Sequence, residues 1–255
     1  MRSLDFPTFR SRFNRIAADL GIGWYAVGFL APDDSVLVFG TDTKVISTVF
    51  ECYTGPVIHT IANELGYSVE GAPQTVYPDF TLTRPDHPGR RIAIDVKTTY
   101  RKFNRKGDIR KFRYTLGSYT SFLRSPGAKK SILYPYAEYS EHWVIGFLYT
   151  RVPGVPAKLY PRREPKTLPC PYEDVEYFIQ EKYKIAGESP GSGNTKNIGS
   201  FPTANIDDLR GGRGPFAAHG KEPCDEYWRY YGLTTSQRGE YSTVEAFLRW
   251  REGKQ

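Results

Sequence analysis

The fold is decided by two short stretches, Tyr77-Pro78-Asp79-Phe80 and Ile92-Ala93-Ile94-Asp95-Val96-Lys97. Successive side chains of a strand point to opposite faces, so Asp95 and Lys97 are expected on one face and their apolar neighbours on the other. If a turn at Gly89 folds the chain into a hairpin, Asp79 arrives beside Asp95. Two carboxylates then suit Mg²⁺, which takes few protein ligands and keeps waters for substrate oxygens. Lys97 places a positive charge where a phosphate ester would gain negative charge. The spacing therefore predicts a metal-dependent phosphodiesterase site.

A plainer interpretation is open for the same residues. Asp95 and Lys97 could belong to a solvated strand face, and Pro78-Asp79 to an ordinary turn. The run from Arg91 to Lys97 is otherwise apolar, however, as in a central strand. Because an acid and a base at the end of a buried strand are unusual without a role, the pattern favours a nuclease.

Composition describes a soluble globular protein. The 255 residues fit one large domain or two small ones, and 25% are charged and 39% hydrophobic. No apolar run approaches the roughly 20 residues of a membrane span, and the N-terminus has no apolar signal core. We therefore expect no membrane association and a cytoplasmic protein. The net charge of +7 and the isoelectric point near 9.2 favour a polyanionic partner.

Cysteines and histidines are too scattered to form a metal site or a disulfide framework. None of the three cysteines has a CxxC or CxH neighbour, and the four histidines are equally dispersed. We interpret His142, beside Trp143, as a hydrogen-bonded structural residue.

A strongly basic run directly follows the suspected catalytic strand. The stretch from Arg101 to Arg113 reads RKFNRKGDIRKFR and holds seven Lys or Arg in thirteen residues. Alone it could be a solvated loop. Beside a site for phosphate chemistry, a surface that follows a nucleic-acid backbone is the better explanation.

Periodicity predicts both helices and strands. Helices are expected over 4–20 and from a cap at Asp42 or Thr43 to Leu65, with Pro56 kinking or restarting the second one. A short helix-like or loop segment is expected at 120–124, and the proline-rich stretch 152–171 is expected to be extended. Strands are predicted over 24–30, 36–39, 92–100, 111–116, 131–136, 142–150 and 177–186.

Two further features leave their roles open. Glu51, in the second helix, is either solvent-facing or a third acid that faces the metal site. The stretch from Gly187 to Ser200, GESPGSGNTKNIGS, is either a flexible linker or a loop that enters a DNA groove. In the second case glycines allow close approach to bases and Asn pairs with adenine. The stretch lacks the GxxxxGK[ST] spacing, which disfavours nucleotide binding.

With these motifs in place, the sequence resembles the EcoRV-type type II restriction endonucleases of the PD-(D/E)xK nuclease group. The resemblance covers about residues 40 to 200, and the C-terminal part matches more loosely. The matching blocks are Asp42-Thr43-Lys44-Val45, Phe50-Glu51, Tyr77 to Leu82, Ile92 to Tyr100, Thr115 to Phe122, His142-Trp143, Tyr149-Thr150-Arg151, Ala186-Gly187 and Gly191 to Ser200.

The resemblance implies an α/β (α+β) protein with the PD-(D/E)xK restriction-endonuclease-like fold, a central mixed β-sheet flanked by helices. It implies a single endonuclease domain over 1–255. Within it, a dimerisation part is expected at roughly 20–65 plus 140–160, and a DNA-binding and catalytic part at roughly 66–140 and 170–255.

The resemblance also assigns roles at the catalytic site. Asp79 and Asp95 would be metal ligands, and Lys97 would stabilise or help to activate the attacking water. Glu51 would be an accessory catalytic acid and a further metal ligand. The implied cofactor is Mg²⁺, with Mn²⁺ as a substitute.

DNA-reading residues follow from the same resemblance. The major-groove loop would consist of Gly191, Ser192, Gly193, Asn194, Thr195, Lys196 and Asn197, with Asn194 reading adenine. Gln74 would lie in a minor-groove segment. Phosphate contacts that set register without reading sequence would come from Thr99, Thr120, Ser121, Ser236 and Arg238.

The implied activity is Mg²⁺-dependent cleavage of both strands of palindromic duplex DNA by a homodimer in a bacterial cytoplasm. A six-base site and blunt ends are expected, without a nucleotide cofactor. A DNA methyltransferase of the same specificity is expected but not contacted. Two rival classes remain open, a repair or junction nuclease on the same scaffold and a non-catalytic DNA-binding relative.

Overall fold

The computed structural model describes residues 4–161, 167–194, 196–232 and 241–253. Seven α-helices lie in these ranges: α1 (Phe6–Asp19), α2 (Thr43–Leu65), α3 (Tyr119–Arg124), α4 (Lys182–Ile185), α5 (Ile206–Arg210), α6 (Lys221–Tyr230) and α7 (Val244–Glu252). The strands of the same ranges are β1 (Gly28–Leu30), β2 (Val36–Phe39), β3 (Ser68–Gly71), β4 (Phe80–Arg84), β5 (His87–Tyr100), β6 (Tyr139–Arg151), β7 (Ala157–Tyr160), β8 (Tyr172–Glu181), β9 (Ala186–Pro190) and β10 (Ile198–Ser200). None of the helices in the described ranges has the length and apolar character needed to cross a membrane.

A five-stranded mixed sheet forms the centre, in the order β3-β4-β5-β6-β8. β5 runs parallel to β6, and the other neighbouring pairs are antiparallel. Helices cover both faces of this sheet, so the predicted fold class, a central mixed sheet flanked by helices, is confirmed.

The two faces of β5 enter different cores, as the alternation predicted. Ile94 and Val96 are buried against α1 and α2, together with Trp143 and Phe147 of β6. Ala93 lies on the opposite face in a second core, which α3, α6 and α7 complete. Asp95 and Lys97 therefore emerge on the side of the second core.

Local signals explain both long helices. Asp5 caps α1 by accepting a hydrogen bond from the N–H of Thr8 at 2.8 Å, and Asp42 caps α2 by accepting from the N–H of Lys44 at 2.8 Å. Of the kink or restart predicted at Pro56, the restart is wrong, because α2 continues through it. Pro56 lies on the exposed side while residues of α2 such as Ile58 are fully buried, so tertiary packing outweighs the lost backbone hydrogen bond.

Several strand predictions need correction. Residues 111–116 form no regular strand, and are instead held by single bridges to Gly199 and Thr203. Residues 131–136 are irregular and lead into a 3₁₀ turn, and the strand predicted over 24–30 is limited to β1. The strand predicted over 177–186 ends at Glu181, where α4 begins. The proline-rich connection includes β7, and the stretch predicted as a loop or linker includes β9 and β10.

Candidate active site

Asp79 and Asp95 meet because β4 and β5 form a hairpin. Its turn lies at Pro85-Asp86, between the paired residues Arg84 and His87, so the predicted turn at Gly89 is wrong. The register Phe80↔Ile94 nevertheless brings the two aspartates to the same level of the sheet. A tight hairpin thus produces the juxtaposition that the sequence predicted.

Hydrogen bonds fix three side chains into one cluster. The backbone N–H of Val96 donates to Oδ2 of Asp79 at 2.6 Å. Nζ of Lys97 donates to Oδ1 of Asp95 at 2.8 Å and lies 3.8 Å from Oδ2 of Asp79. One lysine therefore lies between two carboxylates on the same face of the sheet.

Burial and mutual repulsion perturb the pKa values of this cluster. Burial, and then the charge of Asp95, raise the pKa of Asp79 to about 7, against the opposing effects of Lys97 and the Val96 N–H. Burial alone would lower the pKa of Lys97, but Asp95 and Asp79 outweigh it and the pKa is raised. Lys97 is therefore a cation in the metal-free protein, which favours charge stabilisation over proton abstraction.

Glu51, on α2, interacts electrostatically with this cluster. Burial raises its pKa, the charge of Lys97 opposes the shift, and Asp95 adds to it. Asp79 and Lys97 in turn sense the charge of Glu51. This coupling favours the alternative in which Glu51 is an acid that faces the site, which stays a prediction. Its role as a metal ligand stays a prediction, since no group of three or more His, Cys, Asp or Glu side chains suited to a metal occurs in the described ranges.

The donor set fits a hard divalent cation. Oδ2 of Asp95 is buried and accepts no hydrogen bond from the described residues. A buried carboxylate oxygen without a partner is costly, and a cation is one group that would satisfy it. Two carboxylates are also the number that Mg²⁺ ordinarily takes from a protein. The cluster opens into a cleft of about 220 Å³, whose lining includes Asp79, Asp95, Lys97, Gly117 and Ser118.

The β9–β10 hairpin carries the residues predicted to read bases. Ser192, Gly193, Asn194 and Lys196 are exposed at its tip, whereas Asn197 is half-buried. Oδ1 of Asn194 accepts a hydrogen bond from the N–H of Lys196 at 3.0 Å, which closes the tip as a turn. The prediction for Thr195 lies outside the described residues.

A short wall segment, residues 115–118, joins this hairpin to the cleft. The N–H of Leu116 donates to the carbonyl of Ile198 at 2.7 Å, and the N–H of Ile198 donates to the carbonyl of Gly117 at 3.2 Å. The hydroxyl of Ser118 donates to Oδ1 of Asn197 at 3.1 Å. Since Gly117 and Ser118 also line the cleft, the hairpin and the cleft share one wall.

The other residues predicted to contact DNA differ in their exposure to solvent. Gln74 is exposed, and Thr99 and Ser121 are half-buried. Thr120 is fully buried, so its side chain is not available to DNA in this structure. The predictions for Ser236 and Arg238 lie outside the described residues.

The basic run divides into structural and exposed parts. Arg101 is buried and paired with Glu176, so it belongs to the core and not to a DNA-binding surface. Arg113 donates to the carbonyl of Pro190 at 2.8 Å, at the loop end of the β9–β10 hairpin. Between them lies an exposed loop, here called the basic loop, which displays Lys102, Arg105, Lys106, Arg110 and Lys111.

A buried polar network beneath the site escaped sequence analysis. Nδ1 of His142 and the hydroxyl of Tyr77 are 2.7 Å apart, which confirms His142 as a buried hydrogen-bonded residue. Tyr119 donates to Asp225 at 2.8 Å, and Lys182 is buried beside Tyr77 and Tyr119. These residues lie far apart in the sequence, and only the abundance of tyrosine (19 residues) hinted at such a network.

Comparison with known proteins agrees with this geometry. The family described as restriction endonuclease EcoRV matches residues 21–252. The type II restriction enzyme EcoRV of Escherichia coli is 41% identical over 227 residues, which cover 88% of this chain and 89% of that protein. These matches cover most of the chain, and they agree with the hairpin that brings Asp79 to Asp95 and with the lysine between them. The chain therefore belongs to the EcoRV family of restriction endonucleases, which are site-specific deoxyribonucleases.

Proposed function

We propose that this protein hydrolyses both strands of a palindromic site in duplex DNA as a homodimer, using Mg²⁺ held by Asp79 and Asp95. A six-base site cut to blunt ends is part of the proposal, as is Mn²⁺ as a substitute metal. Nucleases of this kind generally use divalent metal ions. The observation that carries the proposal is the convergence of Asp79, Asp95 and Lys97 on one open cleft.

Each side chain of the cluster has a chemical task in this mechanism. Asp79 and Asp95 would hold the cation, which supplies positive charge to the phosphate oxygen and to the attacking water when it is bound. The Val96 N–H keeps Asp79 oriented. Lys97 balances the charge that accumulates on the phosphate as the bond from water oxygen to phosphorus forms and the ester bond opposite breaks. Glu51 would act as the accessory acid from the α2 side.

Recognition would come from the β9–β10 hairpin. Its exposed tip includes the small residues Ser192 and Gly193, which allow the backbone to approach bases in a major groove about 12 Å wide. Asn194 can pair bidentately with adenine if Oδ1 exchanges its turn hydrogen bond for the base. The exposed cations of the basic loop would hold the flanking phosphates without reading sequence.

An apolar row on a separate three-stranded sheet, in the order β1-β2-β7, supports the homodimer. In the β1-β2-β7 sheet, Phe29 pairs with Leu37 and Leu37 pairs with Leu159, so the three side chains lie side by side. They are 51%, 41% and 57% exposed. A contiguous exposed apolar row fits a second copy of the same surface, and the sheet falls largely within the predicted dimerisation part.

Plasmid digestion in Mg²⁺, followed by sequencing of the fragment ends, tests the activity. Discrete fragments with one shared palindrome at their ends are expected. Nicking without a shared site, or cutting confined to DNA junctions, would refute the restriction activity and favour a repair nuclease. Asp95→Ala and Lys97→Ala should abolish cutting and still give folded protein that binds DNA. Asp19→Asn, on α1 and on the far face of the sheet, is the control that should cut normally.

Sedimentation velocity tests the dimer. Leu37→Glu places a charge in the centre of the apolar row, so it should yield monomers and lose double-strand cleavage. Ile109→Glu changes another exposed apolar residue, in the basic loop, and should leave the oligomeric state unchanged. A Leu37→Glu protein that sediments like the parent would place the interface elsewhere.

A further inference from the structure

Lys182, the first residue of α4, is a buried cation with no hydrogen-bonding partner among the described residues. It is 2% exposed, and its Nζ donates to no acceptor in the described ranges. It lies over the rings of Tyr77 and Tyr119, 4.3 Å from each ring centroid. Ring faces compensate an ammonium group only in part, so a lysine buried in this way is costly without a further interaction.

The strand register directs this cation toward the catalytic carboxylates. Asp95 pairs with Val144, which pairs with Gln180 of β8, and laterally paired residues share a face of the sheet. Lys182 follows Gln180 by two residues, and Tyr77, on which it rests, lines the cleft of Asp79 and Asp95. Lys182 is therefore on the carboxylate side of the sheet, beneath the cluster.

Electrostatics couple this lysine to the cluster. Burial lowers the pKa of Lys182 to about 8, while Asp95, Asp225 and Asp79 act to raise it and Lys97 acts to lower it. At neutral pH the group is mostly charged. Asp79, Asp95 and Lys97 therefore share their electrostatic environment with a second buried ammonium group, which the sequence did not predict.

We propose that Lys182 is a positioning residue that weakens divalent-cation binding in the DNA-free protein. Its buried positive charge partly neutralises the negative potential of Asp95 and Asp79, the two proposed ligands. A cation then binds firmly only after a DNA phosphate adds negative charge to the cleft. This inference rests on the proposed function, since it takes Asp79 and Asp95 as the metal-binding residues.

Titration of the metal-free, DNA-free, full-length protein with Mn²⁺ by calorimetry tests the inference. Lys182→Met removes the charge and keeps the volume, and Lys182→Gln removes it and keeps polarity. Both should lower the Kd for Mn²⁺ by roughly tenfold or more, because a unit charge several ångströms away acts strongly at an effective dielectric constant of about 20. Lys184→Met removes the same charge from the same helix, where Lys184 is half-exposed and paired with Glu181. Its Kd should stay within about threefold of the parent's, since exposed charges are screened.

The outcomes separate this inference from the proposed function. Asp95→Asn should abolish Mn²⁺ binding, and if it does not, the proposed metal site itself is wrong. If Asp95→Asn abolishes binding but folded Lys182→Met and Lys182→Gln bind like the parent, only the role of Lys182 is refuted. An equal tightening in Lys184→Met would refute it too, as a general charge effect. Failure of both neutral variants to fold would assign Lys182 to the scaffold and likewise overturn the proposal.

Discussion

Gly199→Ala is expected to force the two strands of the β9–β10 hairpin apart. A Cβ at this position would lie 2.7 Å from Cα of Gly191, 2.8 Å from its N and 2.9 Å from the carbonyl oxygen of Ser189. All three neighbours are backbone atoms, so no side chain can rotate away. Ordinary contact begins near 3.4 Å, and the two strands must therefore separate by about 0.7 Å. Overpacking of this kind costs about 1–3 kcal/mol.

Urea unfolding followed by tryptophan fluorescence measures that cost. Gly193→Ala is the matched control, because a Cβ there meets nothing within 4 Å and the residue does not adopt a left-handed φ. It should change the free energy of unfolding by less than about 0.5 kcal/mol. If both substitutions had the same effect, the close approach of the backbones at Gly191 and Gly199 would not be the reason for glycine at residue 199.

The same displacement should impair cleavage. Strand β10 is hydrogen-bonded to the wall segment at residues 115–118, so opening the hairpin shifts one side of the catalytic cleft. A misplacement of about 1 Å can cost on the order of 100-fold in rate. Gly89→Ala, also in open space, is the control for activity. Parent-like cleavage by folded Gly199→Ala protein would refute the mechanical link between hairpin and cleft.

Three further predictions concern charge and packing. Replacing Arg105 and Lys106 by Gln should make DNA binding less dependent on salt. In gel-shift titrations, the slope of the logarithm of the DNA-binding constant against log salt should become shallower by about 0.9 for each phosphate that is no longer neutralised. An unchanged slope would show that the basic loop is solvated surface without a role in DNA binding. In EDTA, the folded protein binds the proton of Asp79 more tightly than the unfolded chain does, because the folded pKa is about 7 and the ordinary value 3.8. The free energy of unfolding of the parent should therefore fall relative to that of Asp79→Asn as pH rises from about 4 to 7, and the difference should stay constant above that. If urea unfolding gave a difference that does not depend on pH, the raised pKa of Asp79 would be contradicted. Gly146→Ala places a Cβ 2.1 Å from the ring of Phe178 and should destabilise by about 1–3 kcal/mol, with partial recovery in the double variant with Phe178→Leu; additive losses in thermal unfolding would point to another cause.

Local patterns were sufficient to predict the cluster of Asp79, Asp95 and Lys97. Alternation along β5 placed Asp95 and Lys97 together, and a short hairpin was enough to add Asp79. The exact turn was misplaced by a few residues, because glycine at 89 was a stronger turn signal than the Pro85-Asp86 pair that the chain uses. The register survived this error since it depends on which residues must be buried.

Features that depend on distant partners could not be predicted in this way. Arg101 looked like part of a basic surface, but Glu176 pairs with it inside the fold. Residues 111–116 had the composition of a strand, yet their partners lie at Gly199 and Thr203, whose position depends on the whole second core. Lys182 carried no signal at all, because its environment comes from two tyrosines more than sixty positions away.

The shared wall at residues 115–118 has a consequence for fidelity. If the hairpin reads DNA as proposed, a poorly fitting groove would tilt it, and the tilt would pass through two backbone hydrogen bonds into the proposed catalytic cleft. Misreading would thus spoil the alignment of the reacting atoms without any separate proofreading device. The wall segment would thus couple the recognition of the DNA sequence directly to cleavage.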